Sequence, residues 1–178
     1  LYYDEDMAAK AIMTVSEYLR TSWPDGDREY VHGEIIEKPM PPFSHGEIQI
    51  LLGALFLRLS SQSGAPRFIP VSEVRHRLAP DVFRLPDLAV FLDDRPKAEV
   101  PDTPPFIAIE ILSPDDRMTV LLEKLREYRD WGVAHVWVVD PEGRRMYEFN
   151  SDGLRETGAL VLPEYQITIP PAELFPQP

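Results

Sequence analysis

The sequence predicts a mixed α/β fold, an α+β arrangement in which a central mixed sheet is flanked by helices. Three observations carry this reading. Leu88–Leu92 and Phe106–Leu112 are almost wholly apolar, the composition of strands buried on both faces. Ile48, Leu51, Leu52, Leu55, Phe56 and Leu59, and later Met118, Leu121, Leu125 and Tyr128, recur at three- and four-residue steps and so form helical stripes. The order along the chain, hairpin, helix, strands, helix, strands, points to a sheet with helices packed against it.

Taken in order, Thr14-Val15-Ser16-Glu17 has the form of a capping box and starts a short helix through Tyr18 and Leu19. Pro24-Asp25-Gly26 ends it. Arg28–Val31 and Glu34–Lys38 are strand-like runs joined by His32-Gly33, a pair that supplies the positive backbone angles of a tight hairpin. Ser44 is placed to cap the second helix, which stops near Ser60–Gly64. Arg67 to Arg77 reads as one extended strand. The third helix is expected from about Asp115 to Trp131, with Gly132 as its stop. Val136–Val139 and Met146–Phe149 then flank the turn Asp140-Pro141-Glu142-Gly143, and Ser151-Asp152-Gly153 makes another turn.

A chain of 178 residues is long enough for one core without staples, and a single domain is expected over residues 14–169. Residues 1–13 read as an N-terminal extension, acidic and without the basic flank or apolar stretch of a signal peptide. Residues 170–178 read as a loosely held proline-rich tail. The absence of cysteine excludes a disulfide framework or thiolate metal site and suits a cytoplasmic protein. No apolar run reaches membrane-spanning length. A net charge of −12 argues against indiscriminate nucleic-acid binding by the whole surface. Between Arg58 and Arg84, however, five arginines meet only Glu73 and Asp81. Arg75 and Arg77 would share one strand face, either as a solvated face or, with Arg58, as a phosphate-contacting strip.

Nucleotide-binding glycine loops, the G-x-S-x-G elbow and H-E-x-x-H are all missing, so any chemistry has to come from other residues. Asp87 opens one apolar strand and Glu110 sits inside the next. A buried ionised carboxylate is costly unless paired, hydrogen-bonded or ligated. Adjacent strands would bring the two acids side by side, and two hard oxygen ligands suit Mg2+ or Mn2+. Lys124 falls about 60° from Leu121 and about 40° from Tyr128 around its helix, at the edge of the apolar stripe. There it leans toward the sheet or snorkels to the surface.

Pro86-Asp87, Glu110-Ile111-Leu112-Ser113-Pro114, Glu123-Lys124-Leu125-Arg126-Glu127-Tyr128, Gly132-Val133 and Trp137-Val138-Val139-Asp140-Pro141 together resemble the Uma-two family, restriction-endonuclease-like proteins of the PD-(D/E)XK superfamily. Gly33-Glu34-Ile35-Ile36, Pro41-Pro42 and His45 match its first hairpin and helix entry. The resemblance spans roughly Thr14 to Phe149. It implies a PD-(D/E)XK core and a metal-dependent endonuclease acting on DNA, with Asp87, Glu110 and Lys124 as catalytic residues. The metal ligands it implies are Asp87, Glu110 and the main-chain carbonyl of Ile111. Leu112 stands where the motif's lysine would be, and Lys124 matches the lysine moved to the neighbouring helix. Val120 stands where relatives carry an acid four residues before that lysine. Glu34, His45 and Tyr128 are accessory candidates, each with a plain alternative: an exposed strand acid, a structural histidine and a packing aromatic. A homodimer is expected because cutting both strands needs two copies. The competing class is an inactive nuclease-fold module that binds nucleic acid or protein.

Overall fold

The computed structural model of the chain describes residues 13–62 and 64–175. The elements are Val15–Arg20 (α1), Arg28–Val31 (β1), Glu34–Glu37 (β2), Phe43–Leu59 (α2), Phe68–Val71 (β3), His76–Ala79 (β4), Val82–Arg84 (β5) and Leu88–Leu92 (β6). They continue with Ile107–Ile111 (β7), Met118–Trp131 (α3), His135–Asp140 (β8), Arg145–Asn150 (β9), Gly153–Thr157 (β10), Leu160–Leu162 (β11) and Ile167–Ile169 (β12).

The capping box at Thr14 forms in full, and the turn between β1 and β2 uses positive φ at His32 and Gly33. The helix α2 starts one residue before the expected cap: Pro42 is its N-cap with φ −70°, its backbone angle preset by the ring, and Ser44 lies inside the first turn. The helix α3 starts at Met118 rather than Asp115 because Asp116 is used in a turn, its Oδ2 accepting the Ser113 N–H at 2.7 Å. The helix ends at Gly132 with φ 108°, as the sequence indicated.

Two sheets organise the molecule. Six strands run in the order β10-β9-β8-β7-β6-β3, and four in the order β2-β1-β5-β4. Only β7 and β8 are parallel in the large sheet, and α3 supplies the crossover that parallel neighbours require. Alternation along β7 then divides the core. Ile107, Ile109 and Ile111 join the cluster under α2 with Phe56, Trp137 and Val139, whereas Ala108 joins the cluster under α3 with Leu121, Leu125 and Tyr128. Glu110 therefore points to the α3 side.

The expected single strand over Arg67–Arg77 is two strands in different sheets, because Glu73 adopts φ 53° and breaks the extended run. The pairing of β4 with β5 and the hairpin of β11 with β12 were not anticipated. The proline-rich stretch is not loosely held as far as it is described: Pro171–Glu173 forms a 3-10 turn that delivers Leu174 and Phe175 into the main core. Residues 176–178, and all of the N-terminal extension except Met13, lie outside the described residues. Among those described, no helix is long and apolar enough to cross a membrane.

Candidate active site

The residue just before β6 and the fourth residue of β7 meet at the floor of a cleft of about 110 Å³, lined also by Glu29, Lys38, His45, Ile111, Arg117, Val120 and Lys124. Asp87 is buried and held on both oxygens. Its Oδ2 accepts the Ile111 N–H at 2.7 Å and its Oδ1 accepts Lys38 Nζ at 2.8 Å. Burial alone would raise its pKa, but Lys38, His45 and Lys124 outweigh burial and hold the carboxyl well below the usual range.

Glu110 is treated differently. Lys124 Nζ donates to its Oε2 at 2.9 Å and the Tyr128 hydroxyl to its Oε1 at 2.8 Å, the two donors lying one helical turn apart on α3. Burial and the negative charge of Asp87 push its pKa up to about 7 against the opposing pull of Lys124. Two buried carboxylates within electrostatic reach, beside Ile111 in a water-accessible cleft, form a hard oxygen donor set that a divalent ion would relieve.

Lys124 is not a surface residue with its head in water. It is 7% exposed, and its ammonium meets Glu29 Oε1 at 2.7 Å and the Leu85 carbonyl at 3.2 Å as well as Glu110. Burial lowers its pKa, but Glu110 and Glu29 reverse the sign and keep it charged. Glu29 is in turn fixed by Arg84 Nη1 at 2.9 Å and the Leu85 N–H at 2.9 Å, and Arg84 forks onto Glu127 of α3 at 2.6 and 2.9 Å. The small sheet thus supplies Glu29 and Arg84, the middle links of an ionic chain Glu127–Arg84–Glu29–Lys124 that returns to α3 and sets the catalytic lysine candidate from behind.

The candidates divide accordingly. Asp87, Glu110, Lys124, Tyr128, His45 and Ile111 come together. Val120 lines the cleft and brings no carboxylate there. Glu34 is exposed near the hairpin turn, opposite Val31 in register, and does not line the cleft. Arg58 is on the surface against Glu173. Arg75 precedes β4 and does not share a strand face with Arg77. Its guanidinium clamps Asp27, bonds the carbonyls of Tyr18 and Thr21 and stacks over Tyr18 and Trp23. Arg77 is exposed, over the Phe83 ring. No strip of the three arginines borders the cleft. Glu29, Lys38 and Arg84 were missed by sequence reasoning. Gln49, whose Nε2 donates to the Asp87 carbonyl at 2.7 Å, had a usable signal: it lies four residues after His45 on the same helix face.

Residues 15–176 match the family model Uma2, described as "Putative restriction endonuclease". The chain belongs to the Uma2 family. Among solved structures, it is similar to the crystal structure of "a putative nuclease belonging to DUF820" from Anabaena variabilis ATCC 29413, at 22% identity and a TM-score of 0.79, covering 92% of this chain and 97% of that one. At that identity the likeness shows the fold, and the restriction-endonuclease-like core expected from the sequence is present. No curated protein matches the chain. For a Uma2 protein the nuclease assignment rests on family and fold, and the cleft is where its residues converge.

Proposed function

We propose that this Uma2 protein is a metal-dependent endonuclease hydrolysing DNA phosphodiester bonds, with Asp87, Glu110 and the main-chain carbonyl of Ile111 holding one Mg2+ or Mn2+. The observation that carries the reading is the locking of Glu110 by Lys124 and Tyr128 while Asp87 is tied to the Ile111 N–H. Both carboxylates are thereby oriented before any ion arrives. When bound, the ion would supply an activated water and stabilise charge developing on the phosphate. Tyr128 and Lys124 fix the Glu110 carboxylate plane. Lys124 stays an ammonium between two acids, so its part is not to remove a proton: giving up its longest contact, the Leu85 carbonyl at 3.2 Å, would free one N–H for the attacking water or a phosphate oxygen. Arg117, at the cleft wall, adds positive charge where a phosphate would approach.

We further propose that the protein works as a homodimer through the outer face of α2. Phe43, Ile50 and Leu57 repeat every seven residues and are 87%, 74% and 62% exposed. Gly46 and Gly53 lie between them, with open space beyond their own helix where a Cβ would stand, although glycine inside a helix is unfavourable. A seven-residue apolar repeat with small residues between is the pattern of a helix-to-helix seam.

Cleavage of plasmid and linear DNA with Mg2+ or Mn2+ tests the activity. The wild type should cut, and Asp87→Asn, Glu110→Gln and Lys124→Met should each lose about a hundredfold or more. DNA binding without metal-dependent cleavage would assign the chain to the non-catalytic class.

A further inference from the structure

Beyond β2 the chain carries Lys38 from the small sheet over the cleft. Its ammonium meets three oxygens: Asp87 Oδ1 at 2.8 Å, Glu73 Oε2 at 2.9 Å and the Leu85 carbonyl at 3.1 Å. His45 closes another side. Its ring is 93% buried, since 7% of the side chain is exposed. Its Nδ1 meets Ser113 Oγ at 3.2 Å, while Nε2 stops 3.6 Å from Asp87 Oδ1, beyond hydrogen-bond reach. His45, Glu73 and Asp87 each present a ligand atom, all within 4.8 Å of one another.

The chain spends strain and packing on this arrangement. Glu73 holds its place with a φ of 53°, a left-handed conformation uncommon outside glycine. Gln49 Nε2 bridges Glu73 Oε1 at 3.3 Å and the Asp87 carbonyl at 2.7 Å. A positive charge already sits among these acids, on the most flexible kind of stem a cation can have.

We propose that His45, Glu73 and Asp87 form a second cation site beside the Asp87–Glu110 position, suited to a first-row transition ion, and that the Lys38 ammonium fills it until such an ion displaces it. It shares only Asp87 with the function proposed above. An imidazole nitrogen with two carboxylates favours Mn2+, Co2+ or Zn2+ over Mg2+, which prefers an all-oxygen shell. Lys38 makes occupancy conditional, because the ion has to be worth more to the two acids than the ammonium it replaces.

Calorimetric titration of the full chain with MnCl2 and with MgCl2 tests this. Lys38→Met should bind Mn2+ at least tenfold more tightly than the wild type, with a smaller gain for Mg2+. Adding His45→Gln or Glu73→Gln to Lys38→Met should erase the gain. Adding Glu110→Gln should leave it, since Glu110 belongs to the other position. A folded Lys38→Met protein with no gain overturns the site, as does a gain that survives His45→Gln or vanishes with Glu110→Gln. In the last case the Asp87–Glu110 reading stands alone. A gain that behaves as expected in a protein that cuts no DNA sinks the nuclease reading and keeps the site. Should Lys38→Met not fold, titration of the wild type with diamagnetic Zn2+ decides: a coordination shift of the His45 ring nitrogen Nε2 that persists in Glu110→Gln supports the site, and an unshifted nitrogen at millimolar Zn2+ overturns the proposal.

Discussion

Glu29 of the first hairpin lies 2.7 Å from the ammonium of Lys124 on the third helix, both buried. The lysine offered as catalytic is therefore also an internal counter-charge. Lys124→Met should do two things: reduce cleavage by about a hundredfold and destabilise the fold by about 3 to 5 kcal/mol, because Glu29 and Glu110 are left buried without it. Adding Glu29→Gln should restore part of the stability and none of the activity. Urea melts beside a cleavage assay separate the two losses. A Lys124→Met protein as stable as the wild type would mean the ammonium is solvated in solution.

Asp87 and Glu110 should part company when neutralised. Asp87 has its folded pKa below the unfolded value of 3.8, so its contribution is present above that value and is lost as pH falls below it. Glu110 is the reverse: raised from 4.5 to about 7, its contribution is complete below 4.5 and is lost as pH rises through 7. Asp87→Asn should thus be destabilising at pH 8 without metal, whereas Glu110→Gln should be neutral or stabilising. Equal losses in apo melts at pH 8 would contradict the assignment.

His76 supplies an opposing slope. Its ring is buried, Nδ1 meets the Val74 carbonyl at 2.7 Å, and Nε2 has no partner among the described residues. Burial lowers its pKa from 6.5 to about 4, so the unfolded chain binds the proton first and stability falls as pH drops from 6.5 toward 4, by up to about 3 kcal/mol. Between pH 4.5 and 6.5 the Glu110 and His76 slopes oppose each other. Removing one should expose the other: Glu110→Gln should steepen the acid-side loss and His76→Phe should reverse the slope. Stability against pH for the two variants checks this.

Arg75→Ala should cost about 2 kcal/mol or more, the scale of hydrogen bonds to charged partners, and leave the salt dependence of DNA binding unchanged. Arg77→Ala should be within about 0.5 kcal/mol of neutral. A lower salt slope in folded Arg75→Ala would mean the Asp27 clamp opens to reach phosphate.

Ile50→Glu should dissociate the proposed dimer without lowering the stability of the protomer, because position 50 is 74% exposed. Sedimentation equilibrium reads the outcome. A wild type that stays monomeric at working concentrations removes the α2 seam.

The parts legible in the sequence were those specified locally. The Thr14 box, the periodic apolar residues of α2 and α3, and the runs that became β6 and β7 each carry their signal within one element. Asp87 and Glu110 stood out because an acid beside or within an apolar strand has few inexpensive explanations. Glu29 and Arg84 carried no such mark: each sits in a strand of three or four residues, too short for a pattern, and their meaning lies in partners far along the chain. Leu174 and Phe175 were obscured by the surrounding prolines, which signal a break in regular structure and say nothing about burial. The single strand expected over Arg67–Arg77 failed at Glu73, whose left-handed backbone no propensity would assign to a glutamate.

The Leu85 carbonyl accepts both Lys38 at 3.1 Å and Lys124 at 3.2 Å, using the two lone pairs of one peptide oxygen. An acceptor of this kind belongs to the main chain, so no substitution at position 85 deletes it. While Lys38 keeps its place, the two ammonium groups are consequently held to within two hydrogen-bond lengths of each other by one shared oxygen atom. Mutation can remove either lysine, but the oxygen that ties them together stays with the backbone whatever side chain stands at position 85.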